Sequence, residues 1–470
     1  MAYRYGNREQ GSMLPPCIDD YIGPNDPVRA YDAFVDALDL QELGITIDEE
    51  QVGCPPYDPR AMLKLLVYGY SYSADRSSRK LERAVYHNLS FIWLLGGLKP
   101  DHKTIANFRH NHRNVLAKIL KQSVRMCVKL GIIEGNTLFV DGTKLRANAS
   151  MKHTWNQKRI DETLTKVDKR IETILRECEE IDAHDGSSDE SLVEMHKELQ
   201  NQHDLRQKVE QIALELKNQN RQSINTTDTD CVSTRSTHGS YAGYNAQIAV
   251  DEKHGLIASG DVVPSSVDQG LLSQQVKNAE ENIEKKCHTA VADGGYSDLS
   301  DLSTMVDNTT VLVPIQRQTD DYENFTYDQA TNTYCCSEGH VLKQYTIDNN
   351  KKRFRYKISD PKLCQRCAQF GTCTKSKGGR VLSRSFFEET SQRIQENLES
   401  EELKAVYKLR GQRVEHPFGH LRRTLSVRSF LMRGLQGVKA EMSLFASAFN
   451  IRRMITLMGG VSGFVIAVRM

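Results

Sequence analysis

Leu138-Phe-Val-Asp-Gly-Thr-Lys-Leu-Arg146 opens with three apolar residues of strand type and delivers an aspartate, Asp141, at their end. Thr289-Ala-Val-Ala-Asp-Gly-Gly-Tyr296 does the same with Asp293. One aspartate before a glycine reads as a turn. Two strand-end aspartates, with Glu415 far downstream in a basic segment, point instead to metal-assisted phosphoryl transfer. Mg²⁺ or Mn²⁺ is held by a few carboxylate oxygens together with the substrate's own phosphate. Two such ions, about 4 Å apart, clamp the attacking and leaving oxygens of an in-line displacement.

Upstream, the apolar spacing from Tyr31 to Leu130 is helical. Asp58 is placed to cap a helix with Pro59 at its first position, burying Met62, Leu65, Leu66 and Tyr70. Ser77 or Ser78 starts the next helix, with Leu81 and Val85, and Asp101 caps a third, with Ile105 and Phe108. Short helices joined at Gly96-Gly97 suit a helix-turn-helix-like module whose basic side chains, Arg76, Arg79, Lys80, Lys103, Arg109 and Arg113, meet DNA phosphates. An ordinary helical bundle with a basic surface fits equally well.

Downstream of Asp141 the period changes. Ile160, Leu164, Val167, Ile171, Ile174, Cys178 and Ile181 recur at steps of four and three, the seam of a helix packed on another helix. Leu192, Met195 and Leu199, then Leu205, Val209, Ile212 and Leu216, form the second arm, with Asp185-Gly-Ser-Ser-Asp189 as the turn. Strands follow at 244–250 and 256–263, a helix at 271–283, and strands at 289–292 and 310–313. From 320 to 384 the chain turns polar and holds Cys335, Cys336, Cys364-Gln-Arg-Cys367 and Cys373. That spacing fits a structural zinc site holding a segment with little core of its own, with His340 as a substitute ligand. The bland reading is buried free cysteines.

The segment 392–425 is expected to be helical, with Glu415 and Arg422 two turns apart on nearly one face. Pro417 removes a backbone donor, so a kink or restart is expected beside Glu415. Another amphipathic helix is expected over 441–457.

Val140-Asp-Gly-Thr-Lys-Leu-Arg-Ala-Asn148 and Ala292-Asp-Gly-Gly-Tyr-Ser-Asp298 resemble the first and second aspartate boxes of DDE-type insertion-sequence transposases. Tyr407-Lys-Leu-Arg-Gly-Gln-Arg-Val-Glu-His-Pro-Phe-Gly-His-Leu-Arg422 is similar to their third box, a Tyr, Arg, Glu, Lys/Arg signature. It departs at one point: four residues separate Arg410 from Glu415, where the widest form of the signature has three. Asp58-Pro-Arg-Ala-Met-Leu-Lys-Leu-Leu-Val-Tyr-Gly-Tyr70, Arg76-Ser-Ser-Arg-Lys-Leu-Glu82 and the run Gly97 to Arg109 resemble the family's N-terminal domain. Gly243-Tyr-Asn-Ala-Gln247, Val250 to Leu256 and Asp268-Gln-Gly270 also read as family text. Cys336-Ser-Glu-Gly-His340 resembles the family's Cys-Pro-x-Gly, which singles out Cys336, Cys364, Cys367 and Cys373 as zinc ligands and leaves Cys335 aside.

The resemblance implies a mixed α/β chain with a ribonuclease-H-like core. The expected layout is a helical DNA-binding domain over 1–130, the catalytic core over 131–150, 223–319 and 385–457, a helical hairpin over 151–222, a cysteine-rich insert over 320–384 and a tail over 458–470. Asp141, Asp293 and Glu415 would hold Mg²⁺ or Mn²⁺, and Tyr407, Arg410 and Arg422 would contact phosphates near the cut bond. The implied substrate is double-stranded DNA, the ends of an insertion sequence and its target, bound by a homodimer or larger assembly. The rival readings are a decayed DNA-binding repressor of transposition, a stand-alone Mg²⁺-dependent nuclease, and a scaffold built on the hairpin.

Composition agrees. At 470 residues, 39% hydrophobic and 26% charged, the chain reads as globular with several cores. Its formal charge of +1 conceals segregation. Between Lys408 and Arg433 seven Lys and Arg face Glu415 alone, 76–129 is basic, and 161–215 is rich in acids. Phosphate binding depends on such local patches and not on the total. No secretory pattern opens the chain, and the apolar tail from Gly459 to Val468 is too short to span a bilayer, so a cytoplasmic location on DNA is expected. Eleven cysteines scattered through a long chain fit reduced thiols or metal ligands better than disulfides.

Overall fold

The computed structural model describes residues 17–45, 56–72, 76–183, 189–219, 221–237, 239–315 and 324–469. It is a mixed α/β protein. Seven helices come first: α1 (Pro27–Asp36), α2 (Leu40–Leu43), α3 (Pro59–Tyr72), α4 (Ser78–His87), α5 (Leu89–Leu94), α6 (His102–Asn111) and α7 (Arg113–Lys129). Then come β1 (Thr137–Arg146), β2 (Thr154–Asn156), α8 (Gln157–Ala183), α9 (Asp189–Asn218), β3 (Ser223–Asn225), β4 (Val232–Ser236), β5 (Gly239–Asp251) and β6 (Ile257–Val263). They are followed by α10 (Leu272–Ile283), β7 (Thr289–Val291), α11 (Leu299–Leu302) and β8 (Thr310–Leu312). A run of strands, β9 (Phe325–Asp328), β10 (Thr333–Cys336), β11 (Val341–Asp348) and β12 (Arg353–Ile358), leads through α12 (Pro361–Gln365) to β13 (Val381–Ser385). The chain closes with α13 (Glu388–Glu399), α14 (Glu401–Arg423), α15 (Leu435–Leu457) and α16 (Val461–Arg469). Packing divides these into two compact units: residues 1–268, 277–286 and 411–470, and residues 269–276 and 287–410.

In the first unit, capping residues start the helices as their chemistry requires. Asp58 Oδ1 accepts from Arg60 N at 2.8 Å with Pro59 opening α3, and Asp101 Oδ1 accepts from Thr104 N at 2.7 Å at α6. Gly96 and Gly97, both at positive φ, turn the chain between α5 and α6. Strand β5 is the centre of the sheet. Along one edge it pairs antiparallel with β1 from Leu138↔Asp251 to Arg146↔Gly243, and along the other it pairs with β4 and then β6. Helix α15 lies against α7, α3 and β6. Its buried Asn450 closes the β6 backbone as a further strand would, accepting from Ile257 N at 2.9 Å and donating to Ile257 O at 2.8 Å.

Beneath that helix sits a buried charge cluster. Glu441 is fully buried and accepts from the Tyr70 hydroxyl at 2.9 Å, Leu431 N at 2.6 Å and Met432 N at 2.8 Å. Burial pushes its carboxyl up, against the pull of those donors and of Arg76 and Arg109. This corrects two expectations. Arg76 and Arg109, read as phosphate contacts, are 6% and 5% exposed. Arg76 donates to Leu425 O at 3.4 Å and Ser429 O at 3.1 Å and lies over the Phe445 ring, while Arg109 donates to Arg76 O at 3.0 Å. Desolvated guanidinium groups with carbonyl and aromatic partners serve the core here, not a surface.

The hairpin of α8 and α9 packs along its seam: Ile160, Val167 and Ile174 are buried on one arm, and Val209 and Leu216 on the other. Leu205 departs from the expected stripe and is 38% exposed, because the seam passes through Gln202 and Arg206, and Arg206 pairs with Asp168 at 2.9 Å. The expected turn at Asp185 to Ser188 lies outside the described residues.

In the second unit β7 and β8 run parallel, and α13 packs on β8. The cysteine-rich segment forms a five-stranded antiparallel sheet in the order β13-β12-β11-β10-β9. It is not short of core, as its polarity implied. Tyr334, Leu342, Tyr356, Ile358 and Leu382 are buried together on one face, with Phe325, Tyr327 and Phe354 against them. Strand alternation halved the apparent hydrophobicity, and tyrosines supplied much of the buried area. No single helix among the described residues is long and apolar enough to cross a membrane.

Candidate active site

Asp141 does not end its strand. β1 runs on to Arg146 with Asp141 opposite Ile248, so the Asp-Gly pair makes no turn. Gly142 is demanded by crowding. A Cβ there would stand 2.2 Å from Gln247 Nε2, 2.7 Å from Asp268 Oδ1 and 3.0 Å from Asn245 Oδ1. These atoms form a knot in which Asp268 Oδ1 accepts from Asn245 Nδ2 at 2.7 Å, Gln247 Nε2 at 2.8 Å and Lys144 Nζ at 3.0 Å. The knot gathers two of the segments quoted from the sequence, Gly243 to Gln247 and Asp268 to Gly270. By strand alternation it occupies the face of β1 opposite the one that carries Asp141.

On the Asp141 face, two positions on, lies Thr143, 7% exposed. Its hydroxyl accepts from Arg422 Nη2, from the last turn of α14. Glu415 stands seven residues earlier in the same helix, two turns or about 10 Å along its axis. Its carboxylate folds back over Gly411, where a Cβ would meet Glu415 Oε1 at 3.5 Å. Of the expected kink or restart, the restart does not occur: α14 runs from Glu401 through Pro417 to Arg423 as one helix. Burial of Val414, Pro417, Phe418 and Leu421, and the edge contacts of His416 and His420 with Phe449 at 5.6 and 5.4 Å, override the local preference of Pro417. Burial, assisted by Arg452 and His416, lowers the His420 imidazole to about 4.

In the second unit, Asp293 follows β7 and caps a 3-10 turn, accepting from Gly295 N at 2.8 Å. Its Oδ2 lies 3.9 Å from Arg410 Nη1, so two residues chosen from different sequence boxes meet. Tyr407 is one turn before Arg410 on α14. Arg79, Lys80 and Lys103 are exposed, as a phosphate-contacting role needs, while Arg113 is partly buried and donates to Gln436 Oε1 at 3.1 Å.

The carboxylate oxygens of Asp141, Asp293 and Glu415 are hard donors of the kind Mg²⁺ or Mn²⁺ takes. Cys336, Cys364, Cys367 and Cys373, with His340, line one cavity of about 300 Å³, and Cys335 does not. Burial raises the Cys373 thiol; Arg380 opposes this and the neighbouring Cys364, Cys336 and Cys367 add to it. The described cysteines are free of disulfides, and among the described residues no three His, Cys, Asp or Glu side chains are gathered tightly enough to hold a metal ion. The fit to either metal therefore rests on donor chemistry. Thr143 was missed in the sequence, although the period of two from Asp141 marked its face.

Residues 335–455 match a family model described as a transposase DDE domain, and residues 16–111 match one described as a transposase domain (DUF772). Together they indicate a DDE-type insertion-sequence transposase. The matched segments include Glu415, Tyr407, Arg410 and Arg422 and helices α1 to α6, while Asp141 and Asp293 lie between the two. No match was found among curated proteins. Among solved structures the chain is weakly similar to a piggyBac transposase synaptic complex with hairpin DNA, at 10% identity and a TM-score of 0.33, over 95% of this chain and 79% of that one.

Proposed function

We propose that the transposase cuts DNA at the ends of its own insertion sequence and joins those ends to target DNA, with Asp141, Asp293 and Glu415 as the carboxylates that hold Mg²⁺ or Mn²⁺. One observation carries the reading. Arg422 bonds Thr143, which shares a face of β1 with Asp141, and so moors the Glu415 helix to the Asp141 strand. The succession of antiparallel strands β1, β5 and β6, then helix α10 and the parallel pair β7 and β8, supports the ribonuclease-H-like reading of the core. When bound, paired divalent ions lower the pKa of the attacking water or 3′-hydroxyl and stabilise the departing oxygen.

The chain's own residues position. Tyr407, Arg410 and Arg422 take the phosphates beside the cut bond, arginine through its planar fork of donors. Arg79, Lys80, Lys103 and Arg113 take backbone phosphates through the helical domain of residues 1–130, and the core, hairpin and insert follow the boundaries given above. Paired ends call for a homodimer or larger assembly. Zinc at Cys336, Cys364, Cys367 and Cys373 belongs to the same proposal: the shared cavity supports it, and metal content after exhaustive dialysis tests it. Asp141→Asn should abolish Mg²⁺-dependent cleavage of end-sequence DNA while end binding persists. Undiminished cleavage by that variant overturns the assignment. Binding without cleavage by the wild type favours a repressor, and cleavage without joined products favours a stand-alone nuclease.

A further inference from the structure

The basic residues of the five-stranded sheet are out of proportion to the rest of the chain. Between Asn324 and Phe387 twelve Lys and Arg stand against four Asp and Glu, in a protein whose total is +1. Register decides where some of them go. Leu342, Tyr356, Ile358 and Leu382 turn to the buried face, so their neighbours Lys343, Arg355 and Lys357 turn to the other. Arg353 shares that second face, two residues from Arg355. Lys343 stands directly across from Lys357 in the β11–β12 ladder.

Like charges directly opposite in an antiparallel pair destabilise it. Arg355 has relief in Asp348, at 3.1 Å. Among the described residues, Lys343, Lys357 and Arg353 have no carboxylate partner. The same face also carries Asp328, Thr333, Cys335, Ser383 and Ser385 and two apolar side chains, Val341 and Val381, and its hydroxyls are of the kind that meet phosphate oxygens. A solvated face needs neither the in-register repulsion nor this concentration of one sign.

We propose that this outer sheet face, through Lys343, Arg353 and Lys357, grips the phosphate backbone of duplex DNA without reading its sequence. An extended array of cations complements the regular phosphate spacing of a duplex, and a five-stranded face is too broad for a major groove that admits a helix or a two-stranded ribbon, so its arginines meet phosphates and not base edges. The inference rests on the DNA reading above for its partner but not on the catalytic carboxylates.

The test uses the full chain and a random-sequence duplex that lacks element ends, with affinity followed from about 50 to 200 mM salt. K343Q/R353Q/K357Q should reduce the salt slope by about 3, at roughly 0.9 per lost phosphate contact, and weaken low-salt binding on the order of a hundredfold. A charge-matched control on the helical hairpin, K158Q/K208Q/K217Q, should leave both unchanged. Lys343→Gln alone should reduce the slope by about 1 and raise the melting temperature without DNA, because it relieves repulsion; this variant serves if the triple variant fails to fold. An unchanged slope in the folded variants, an equal loss in the control, or a loss confined to a single-stranded RNA of equal length overturns the inference. Wild-type cleavage of end-sequence DNA, measured alongside, judges the transposition mechanism separately: its failure leaves a slope difference standing.

Discussion

Thr143 owes its importance to the period of a strand and to one guanidinium. Thr143→Val keeps the shape of the buried side chain and deletes the oxygen that Arg422 holds. Because Arg422 is exposed and water replaces the lost acceptor, stability should change by about 1 kcal/mol or less, while cleavage of end DNA falls about tenfold or more at unchanged end binding. Equal cleavage rates in single-turnover assays would show that the mooring does not matter. His420 yields a pH prediction. Its folded pKa, about 4, lies below the unfolded value near 6.5, so above pH 6.5 it contributes nothing. As pH falls from 6.5 to 4 the unfolded chain takes up a proton that the folded one refuses, and stability drops by at most about 3 kcal/mol, less as solvent screens the half-buried ring, before levelling off. In His420→Phe, melting temperature plotted against pH should lose that acid slope.

At the scale of elements, the hairpin separates pattern from packing. Ile160→Ala should cost about 2–4 kcal/mol, since Ile160 is buried against Val209 and Leu216, whereas Leu205→Glu should stay within about 0.5 kcal/mol. Urea melts of the two variants would decide. Leu205 shows what sequence conveys: the helical period was legible, but which of two adjacent stripes faces the partner arm was not, and Arg206, not Leu205, stands toward Asp168 across the arms. Helix caps at Asp58 and Asp101 were legible because capping is local chemistry. The continuation of β1 past Asp141 was not, because Gly142 answers to Gln247 and Asp268, side chains more than a hundred residues away. Likewise Pro417 argued locally for a break that the buried face of α14 overrides. The core of the five-stranded sheet hid behind its tyrosines. Because the sheet has a core of its own, exhaustive chelation should lower the segment's unfolding temperature yet leave it folded, while Tyr356→Ala should cost about 3–5 kcal/mol.

At the scale of the whole molecule, Glu441 ties early and late chain together. Tyr70 of α3 and the backbone of Leu431 and Met432 converge on one buried carboxylate, with Arg76 and Arg109 nearby. Removing one member of a buried charge cluster leaves the others desolvated and unmatched, so Glu441→Ala should cost about 3–5 kcal/mol. The N-terminal helices and α15 should then lose protection together in hydrogen exchange; separate losses would contradict the coupling.

Helix α15 begins at Leu435, yet it covers α3, α7 and β6, which precede it by up to several hundred residues. A ribosome must therefore pass Leu435 before the first unit can seal. Until then the apolar sides of those early elements stay bare, and a copy interrupted by a stop codon upstream of Leu435 would leave them so permanently. Such a fragment would be a substrate for chaperones and proteases rather than a competitor for DNA, so truncating lesions should silence the gene product without leaving a dominant-negative remnant.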